Sequence, residues 1–329
     1  MKKILIIQTA FIGDVILATS LVETISKMRG EEWQIDLLVR KGNESLLVDH
    51  PFIKKVIIWD KKSKKYKNLL AVSKQVRGEK YAIVYNLQRF ASTGFLTWRS
   101  KAKLTIGFKN NPLSFLFGIK VSHDMTGGEH EIERNVKLLQ ADSEGENIKA
   151  ELPKLYPSEA NKLRVQSIIE DTPAFVVMAP ASVWFTKQLP KSKWIELIQV
   201  KSKKTTVYLI GGPSDFDFIQ ELIDQSGVKD CINMAGKLNL LESAALIGKA
   251  SRSYVNDSAP LHLASAMNAP VTAFFCSTVP RFGFGPLSED TIIKEIEREL
   301  ECRPCGLHGL KACPKGHFNC GNEINIEST

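Results

Sequence analysis

Short apolar runs rich in β-branched residues alternate with longer stretches of helical periodicity, and this alternation limits the fold more than any other feature of the chain. Four runs come first, at residues 4–7, 35–39, 56–59 and 82–85, and after a break four more follow, at 175–178, 207–210, 253–255 and 271–275. Strands that alternate with helices are typical of a parallel sheet with crossover helices on its faces. The sequence therefore predicts an α/β protein with two doubly wound, Rossmann-like parallel sheets.

The break between the two sets of strands predicts where the chain divides. Residues 150–157 have the composition of a loop, with prolines at 153 and 157, and 329 residues exceed the usual size of one hydrophobic core. We predict domains at residues 1–154 and 155–300, followed by a cysteine-rich tail at 301–329. Open parallel sheets bind ligands beyond the carboxyl ends of their strands, so two such domains facing a central cleft would each hold one substrate.

The formal net charge of +8 favours an anionic partner, and nucleic acid, an acidic membrane surface or a phosphorylated substrate would each satisfy it. The densest basic run, residues 61–67, is typical of a solvated loop, although it would also suit anionic lipid. No segment approaches the roughly 20 apolar residues of a membrane span, and the apolar start ends at Gln8, too early for a signal peptide. We therefore expect a soluble cytoplasmic protein without a transmembrane segment.

The first strand leads into Gln-Thr-Ala-Phe-Ile-Gly-Asp at residues 8–14, after which apolar residues recur with helical spacing. Asp14 therefore lies at a strand-to-helix turn, on the edge of the sheet where ligands are expected. A carboxylate there fits a general base that takes a proton from an acceptor hydroxyl. It equally fits a helix cap, because Asp is common in first turns for its hydrogen bonds and its charge.

The second half of the chain has a comparable turn between the strand at 175–178 and a helix that starts near residue 191. Ser182, Thr186 and Lys187 share this loop, and together they would cradle an anion. Lys187 would neutralise charge on a departing diphosphate, a role in which a positioned cation acts mainly in the transition state. The prolines at both ends of the loop also fit an ordinary surface turn with a solvated lysine.

A third strand-to-helix turn has Asn-Asp-Ser-Ala-Pro-Leu-His at residues 256–262. Ser258 suits an N-cap, and Pro260 suits the first helical turn. Small residues such as Ala259 let a phosphate approach the free N–H groups of a helix N-terminus. The alternative is plain capping, and His262, on a partly apolar helix, fits a packed polar residue better than a catalyst.

Two further loops follow strands of the second half. Gly212 permits close approach of the backbone to a nucleotide, and Asp215 is a candidate partner for a ribose hydroxyl. The loop that contains Leu238 follows the next strand and would hold a base. Each of these signals is weak when taken alone.

Taken together, the three main motifs resemble glycosyltransferase family 9, the ADP-heptose:lipopolysaccharide heptosyltransferases. The resemblance rests on residues 8–15, 179–187 and 256–264, which occur in the family's order, and on weaker similarities at 85–89 and 130–135. It implies a GT-B fold, with an acceptor-binding N-terminal domain and a nucleotide-sugar-binding C-terminal domain. It also implies an inverting transfer that needs no metal or other cofactor.

The same resemblance implies the substrates: ADP-L-glycero-D-manno-heptose as donor, and the lipid A and Kdo-containing inner core of lipopolysaccharide as acceptor, at the inner face of the cytoplasmic membrane. Asp14 matches the family's base, Lys187 and Thr186 match its diphosphate contacts, and residues 257–259 match its phosphate-binding turn. The predicted substrate-binding residues are Thr9, Gly13, Ser182, Thr186, Gly212, Asp215, Leu238, Asp257, Ser258, Ala259 and His262, beside Asp14 and Lys187 as catalytic residues.

Four of the six cysteines lie near the C-terminus, at positions 302, 305, 313 and 320. Their Cys-x2-Cys-x7-Cys-x6-Cys spacing would let Cys302, Cys305, Cys313 and Cys320 hold a structural zinc ion. Reduced thiols without a metal explain the cluster equally well, because the cytoplasm disfavours disulfides. A catalytic metal is a weaker interpretation, since the second pair lacks the Cys-x2-Cys spacing of common zinc sites.

Other functions are compatible with parts of the sequence. A nucleic-acid-binding protein would explain the basic charge, but basic and aromatic residues are not interleaved near the tail. A non-catalytic sugar-nucleotide-binding homologue would not need both Asp14 and Lys187. A transferase that uses another nucleotide sugar for a different surface glycan is the strongest competitor. NAD-dependent and ATP-hydrolysing enzymes lack their usual glycine-rich motifs here.

Overall fold

The computed structural model describes residues 1–143, 146–170, 172 and 174–326. The chain forms two compact units, Met1–Tyr156 and Pro157–Thr329. Residues 327–329 of the predicted tail lie outside the described part.

The first unit is a six-stranded sheet in the order β3-β2-β1-β4-β5-β6, in which all neighbouring strands are parallel. Its strands are β1 (Lys2–Ile7), β2 (Trp33–Arg40), β3 (Ile53–Trp59), β4 (Ile83–Asn86), β5 (Leu104–Phe108) and β6 (Ile119–Val121). Its helices are α1 (Ile12–Arg29), α2 (Lys65–Gly78), α3 (Ala91–Ser100) and α4 (Glu131–Gln140).

The second unit repeats this design, with the strand order β12-β11-β10-β7-β8-β9 and only parallel pairs. Its strands are β7 (Phe175–Ala179), β8 (Thr206–Leu209), β9 (Cys231–Asn233), β10 (Arg252–Asn256), β11 (Val271–Phe275) and β12 (Thr291–Glu295). Its helices are α5 (Glu159–Ile169), α6 (Lys191–Lys201), α7 (Phe216–Ser226), α8 (Leu240–Lys249), α9 (Ala259–Ala266) and α10 (Asn319–Asn322).

The central strands are apolar because helices cover them on both faces. Residues 4–7 of β1 have no exposed surface, and all five residues of β7 are buried. The prediction of two doubly wound parallel sheets is therefore confirmed.

The C-terminal segment adds to the core of the second unit. The apolar cluster of that unit contains Trp194 and Phe274, whose rings meet edge to face with their centroids 5.5 Å apart. The same cluster buries four residues of the C-terminal segment: Phe318, Cys320, Ile324 and Ile326. The described residues 301–326 thus pack against the second sheet. No helix in the described part of the chain is long and apolar enough to span a bilayer.

Candidate active site

Each sheet has a point near its centre where the order of its strands reverses. In the first unit this point lies between β1 and β4, and in the second between β7 and β10. Loops that leave adjacent strands in opposite directions open a crevice at the carboxyl edge of such a sheet, which is where open α/β sheets bind ligands. All three main sequence motifs lie in the loops that follow β1, β7 and β10.

Asp14 is the third residue of α1, in the loop-to-helix turn after β1. Its Oδ2 atom accepts a hydrogen bond from the backbone N–H of Phe11 at 3.1 Å. The carboxylate therefore caps α1, as the helix-cap interpretation requires. It also lies at the crevice, which is where a general base would have to be. Gly13 is buried in the same helical turn.

The loop before Asp14 is held by side chains from the loops that follow three other strands of the first sheet. Lys61, just after β3, donates to the backbone oxygen of Thr9 at 2.7 Å and to its Oγ1 at 2.9 Å. Asn43, after β2, donates to the backbone oxygen of Ala10 at 3.0 Å, and Gln88, after β4, donates to Gln8. Thr9 is buried and its hydroxyl is engaged, so it anchors the loop.

Burial and two nearby charged groups set the pKa of the Asp14 carboxyl group. Burial, followed by the negative charge of Glu131, raises the pKa of Asp14 to about 6, against the opposing effects of backbone N–H groups and the positive charge of Arg40. The Arg40 guanidinium lies 4.6 Å from the centre of the Phe11 ring. A carboxylate with a pKa near 6 is ionised at neutral pH but accepts a proton more readily than an ordinary Asp.

Glu131, in the first turn of α4, is a buried anion with cationic and polar partners. It accepts a hydrogen bond from Nε of Arg134 at 2.8 Å, and its Oε2 lies 3.2 Å from Nε2 of His123. Burial alone would raise the pKa of Glu131, but His123 and the Arg134 charge outweigh it and leave the pKa below the usual value. Glu131 therefore stays charged and acts on Asp14 as a fixed negative group.

In the second unit, the loops after β7 and β10 meet through an ion pair. The Nζ of Lys187 lies 2.7 Å from Oδ2 of Asp257, and both side chains are largely buried. The hydroxyl of Thr278, after β11, donates to the same carboxylate oxygen at 2.6 Å. Asp257 therefore positions the lysine at the crevice.

The amide of Asn256 connects the same two loops. It is fully buried, it accepts from the backbone N–H of Leu189 at 2.9 Å, and it donates to the backbone oxygen of Pro180 at 2.8 Å. Ser258 occupies the N-cap position of α9, but its side chain makes no capping hydrogen bond; a proline follows in the first turn, as predicted. Ala259 begins the helix, and His262 is buried within it.

The C-terminal segment of residues 303–310 packs on the loop that carries Lys187. Thr186 and Leu310 exchange two hydrogen bonds, from the Thr186 N–H to the Leu310 oxygen at 3.1 Å and from the Leu310 N–H to the Thr186 Oγ1 at 2.7 Å. Ser277 also donates to that hydroxyl at 2.9 Å. Thr186 is thus engaged within the protein, whereas Ser182 only accepts a long bond of 3.4 Å from the Trp184 N–H.

Arg303 secures the other end of this segment. Its guanidinium donates to the backbone oxygens of Phe275, Cys276 and Thr278 at 3.1, 2.6 and 2.8 Å, and to Glu295 at 2.6 Å. The segment therefore connects the ends of β11 and β12 to the Lys187 loop.

The loops after β8 and β9 also come together, because the Gly236 N–H donates to the Gly211 oxygen at 3.0 Å. The Asp215 carboxylate accepts from the Gly212 N–H at 2.8 Å and so closes its own loop. Leu238 is partly exposed beside the start of α8. The structure places all these residues at the carboxyl edge of the second sheet.

The predicted zinc ligands are not assembled into a metal site. Among the described residues, no three His, Cys, Asp or Glu side chains are grouped so that they could hold a metal ion. Cys320 is buried in the apolar core, where burial raises its pKa to about 11. The Cys302 sulfur lies 3.8 Å from Nε2 of His317, and the Cys305 thiol donates to the Cys302 backbone oxygen.

The sequence did not predict the positioning contacts that several residues make in the site. Lys61 belongs to a run interpreted as a solvated loop, yet it is partly buried and bonds Thr9, and the run continues into α2. Glu131 lies in a segment noted only for its family resemblance. Arg303 lies between Cys302 and Cys305, in a segment whose spacing predicted metal ligands and gave no sign of the contacts that its guanidinium makes. None of these long-range contacts has a local sequence signal.

Comparison with known proteins identifies the family. The sequence pattern of glycosyltransferase family 9 (heptosyltransferase) matches residues 69–308. The lipopolysaccharide heptosyltransferase 1 of Campylobacter coli is 23% identical over 294 residues, which make up 84% of each chain. A shorter match, 44% identical over 71 residues, joins 21% of this chain to 20% of the lipooligosaccharide heptosyltransferase 2 of Haemophilus influenzae.

Solved structures share the fold. The ADP-heptose LPS heptosyltransferase II of Escherichia coli superposes with a TM-score of 0.78 at 20% identity, over 93% of this chain and 96% of that one. The E. coli heptosyltransferase WaaC, solved with ADP-2-deoxy-2-fluoro heptose, gives 0.69 at 17% identity, over 89% and 93%. Because the family pattern covers well over half of the sequence, this chain is a glycosyltransferase that belongs to family 9, the heptosyltransferases.

Proposed function

We propose that this enzyme transfers heptose from ADP-L-glycero-D-manno-heptose to the lipid A–Kdo inner core of lipopolysaccharide, with inversion at the anomeric carbon. The observation that carries the proposal is the carboxylate of Asp14. It lies in the turn after β1, where the first sheet reverses its strand order, and its pKa is about 6. A base with these properties suits the deprotonation of a sugar hydroxyl near neutral pH.

The reaction we propose is a single displacement. The acceptor oxygen transfers its proton to Asp14 as it forms a bond to the anomeric carbon, and the bond from that carbon to the ADP oxygen breaks. ADP leaves with the electron pair, on the face opposite the attack. No covalent sugar–enzyme intermediate forms, so one carboxylate is sufficient.

Lys187 is the group that we assign to the leaving diphosphate. Its ammonium has three N–H donors, of which the contact with Asp257 uses one. The N-terminus of α9 adds partial positive charge from its free backbone N–H groups. These groups would neutralise the charge that develops on ADP, so that the transfer would proceed without a metal ion.

The donor and acceptor are proposed from the relatives. WaaC of E. coli has been solved with an ADP-heptose analogue, and the Campylobacter coli relative is a lipopolysaccharide heptosyltransferase. We assign the donor to the second unit, whose loops after β7, β8, β9 and β10 lie along one edge. We assign the acceptor to the first unit, where Asp14 lies, and place the enzyme on the cytoplasmic side of the membrane that carries the acceptor.

The proposal is tested by measuring ADP release from ADP-L-glycero-D-manno-heptose with a heptose-free lipopolysaccharide core as acceptor, in the presence of EDTA. We expect acceptor-dependent release by the wild type and by an Asp49→Asn control, whose carboxylate is exposed on the same unit, and almost none by Asp14→Asn. Undiminished release by Asp14→Asn would remove this residue from the mechanism. Loss of wild-type release in EDTA would contradict metal independence, and release only from another nucleotide sugar would overturn the donor.

A further inference from the structure

A strongly basic surface lies on the first unit and extends from Lys61, at the edge of the site, along α2. Residues 61–78 contain seven basic residues and no Asp or Glu. The segment therefore carries a charge of +7, which is close to the formal net charge of +8 for the whole chain. The basic residues are Lys61, Lys62, Lys64, Lys65, Lys67, Lys74 and Arg77.

The α2 helix exposes apolar side chains among these charges. It buries Leu69, Val72 and Val76 against the sheet, and this leaves Tyr66 and Leu70 on the outer face. Tyr66 is 76% exposed and Leu70 is 58% exposed. Because they are four residues apart in a helix, the two side chains are neighbours and form one apolar spot.

The charges on this surface are not neutralised within the unit. In the described part of the chain, none of the basic residues from Lys62 to Arg77 forms an ion pair with a carboxylate. Acidic residues flank the segment on both sides. Asp60 is already engaged by the Lys41 ammonium at 3.2 Å and by the N–H groups of Lys62 and Ser63 at 2.9 and 3.2 Å, and Glu79 is paired with Lys3 and Lys55. The surface is therefore available to an anionic partner.

We propose that the outer face of α2 and the loop before it form a docking surface for a bilayer that contains anionic phospholipids. Lysines that surround an exposed Tyr and Leu match the interface of such a bilayer, where headgroup phosphates meet ammonium groups and apolar side chains enter the acyl boundary. Nucleic acid would engage the same charges, but the apolar side chain of Leu70 has neither a charge nor a hydrogen-bond donor for a phosphate backbone. The observations therefore favour lipid.

The surface is connected to the candidate site within the same unit. Lys61, where the basic segment begins, holds the backbone and hydroxyl oxygens of Thr9, five residues before Asp14. A bilayer on this face would hold a membrane-anchored substrate beside the loop that carries Asp14. The docking itself does not depend on the proposed reaction, because the residues that the test changes have no part in it.

The experiment is sedimentation with phosphatidylcholine vesicles that contain or lack phosphatidylglycerol, using the full-length enzyme without donor. The test variant replaces Lys64, Lys65 and Lys67 with Gln. The control replaces three exposed lysines of the second unit, Lys203, Lys204 and Lys229, with Gln, and so removes the same charge. A further variant carries Tyr66→Ser and Leu70→Ser.

We expect the wild type to bind only the anionic vesicles, less so as salt increases, and the control to bind within about two-fold of it. The Lys64, Lys65 and Lys67 variant should bind about 100-fold more weakly, roughly five-fold for each lysine. The Tyr66 and Leu70 variant should also bind more weakly at equal charge. Equal binding by the lysine variant and its control, or no wild-type binding, would overturn the proposal. So would a loss of oligonucleotide binding in the lysine variant with vesicle binding unchanged.

Discussion

Replacing Asp14 with Asn should make the protein more stable and nearly inactive at the same time. A carboxyl group whose pKa rises from 3.8 to about 6 on folding binds its proton more tightly in the folded state. Its ionisation therefore costs folding free energy, starting above about pH 4 and reaching the full cost above about pH 6. At about 1.4 kcal/mol per pKa unit the full cost is ~3 kcal/mol. Asp14 retains some contact with solvent, so we expect ~1–3 kcal/mol.

Asparagine removes this cost because it stays neutral and its side-chain oxygen can still accept from the Phe11 N–H. For a unit of this size ~2–4 °C per kcal/mol is typical, so the melting temperature of the first unit should rise on the order of 5 °C at pH 8. The gain should shrink as the pH falls through 6 and vanish near pH 4, where Asp14 is protonated in the folded and the unfolded chain. Turnover should fall about 10²–10⁴-fold, as expected when a general base is lost.

The assay is differential scanning calorimetry between pH 4 and pH 8, combined with ADP release at pH 8. Asp49→Asn is the matched control, since it removes one exposed carboxylate from the same unit and should give no comparable gain. If Asp14→Asn is no more stable than the wild type at pH 8, or if its advantage is equal at pH 4, the carboxylate is not held in an unfavourable environment. The assignment of Asp14 as a base poised near neutral pH would then lose its physical ground.

Three further predictions follow from single contacts. Glu131→Gln removes a negative charge that raises the pKa of Asp14, so the acidic limb of the pH profile of kcat/KM should move to lower pH; a shift to higher pH would contradict this. Lys187→Gln should lower kcat about 10²–10³-fold, because Asp257 then has no cation to present to the diphosphate; ADP release in single-turnover experiments measures this, and a two-fold effect would exclude the role. Asn256→Ala leaves two buried backbone groups without a partner, so urea unfolding should show a loss of ~2–4 kcal/mol, and an unchanged midpoint would contradict it.

The fold could be predicted from the sequence where strands are buried on both faces. β7 is a continuous apolar run, and β1 and β11 are largely apolar, because helices cover these strands on both faces, and their sequences alone identify them. β6 and β9 are different, since each has only three residues and lies at a sheet edge with part of its surface exposed. Their short, mixed sequences resemble loops, and only pairing with a neighbour makes them strands.

The candidate site likewise has one part that the sequence predicts and one part that it does not. Asp14, Lys187 and Asp257 lie in the segments that connect strands to the helices after them, so local sequence and parallel topology together place them at the sheet edges. What fixes them comes from elsewhere in the chain: Lys61 is 52 residues from Thr9, and Leu310 is 124 residues from Thr186. Such pairs depend on the packing of loops, which no periodicity encodes.

The cysteine spacing by itself could not predict how the C-terminal segment packs. The spacing does not determine what each thiol contacts, because each side chain also packs with its surroundings. Cys320 became part of the apolar core, and Cys302 lies against His317. The C-terminal segment is held to the second unit by Arg303, Thr186 and apolar packing.

This segment makes a last prediction about Lys187, because Gly309 lies directly against the loop. A Cβ atom at Gly309 would come 2.5 Å from Cβ of Trp184 and 2.6 Å from Cγ of Lys187. These distances are shorter than any real contact, and both atoms lie near the backbone, where they cannot swing away. Gly309→Ala must therefore displace the Lys187 loop, the 303–310 segment, or both. Displacements of about 1 Å at such a site can cost 10²-fold in rate.

We expect Gly309→Ala to lower kcat at least 10-fold, with a smaller loss of stability of ~1–3 kcal/mol from the added atom. Gly285→Ala is the control in the same unit, because its Cβ would meet only Pro280, at an ordinary 3.6 Å. Adding Lys187→Gln to Gly309→Ala should then cost little more, since the first change has already misplaced the ammonium. Fully additive losses, or turnover by Gly309→Ala within two-fold of wild type, would mean that the C-terminal segment does not position Lys187.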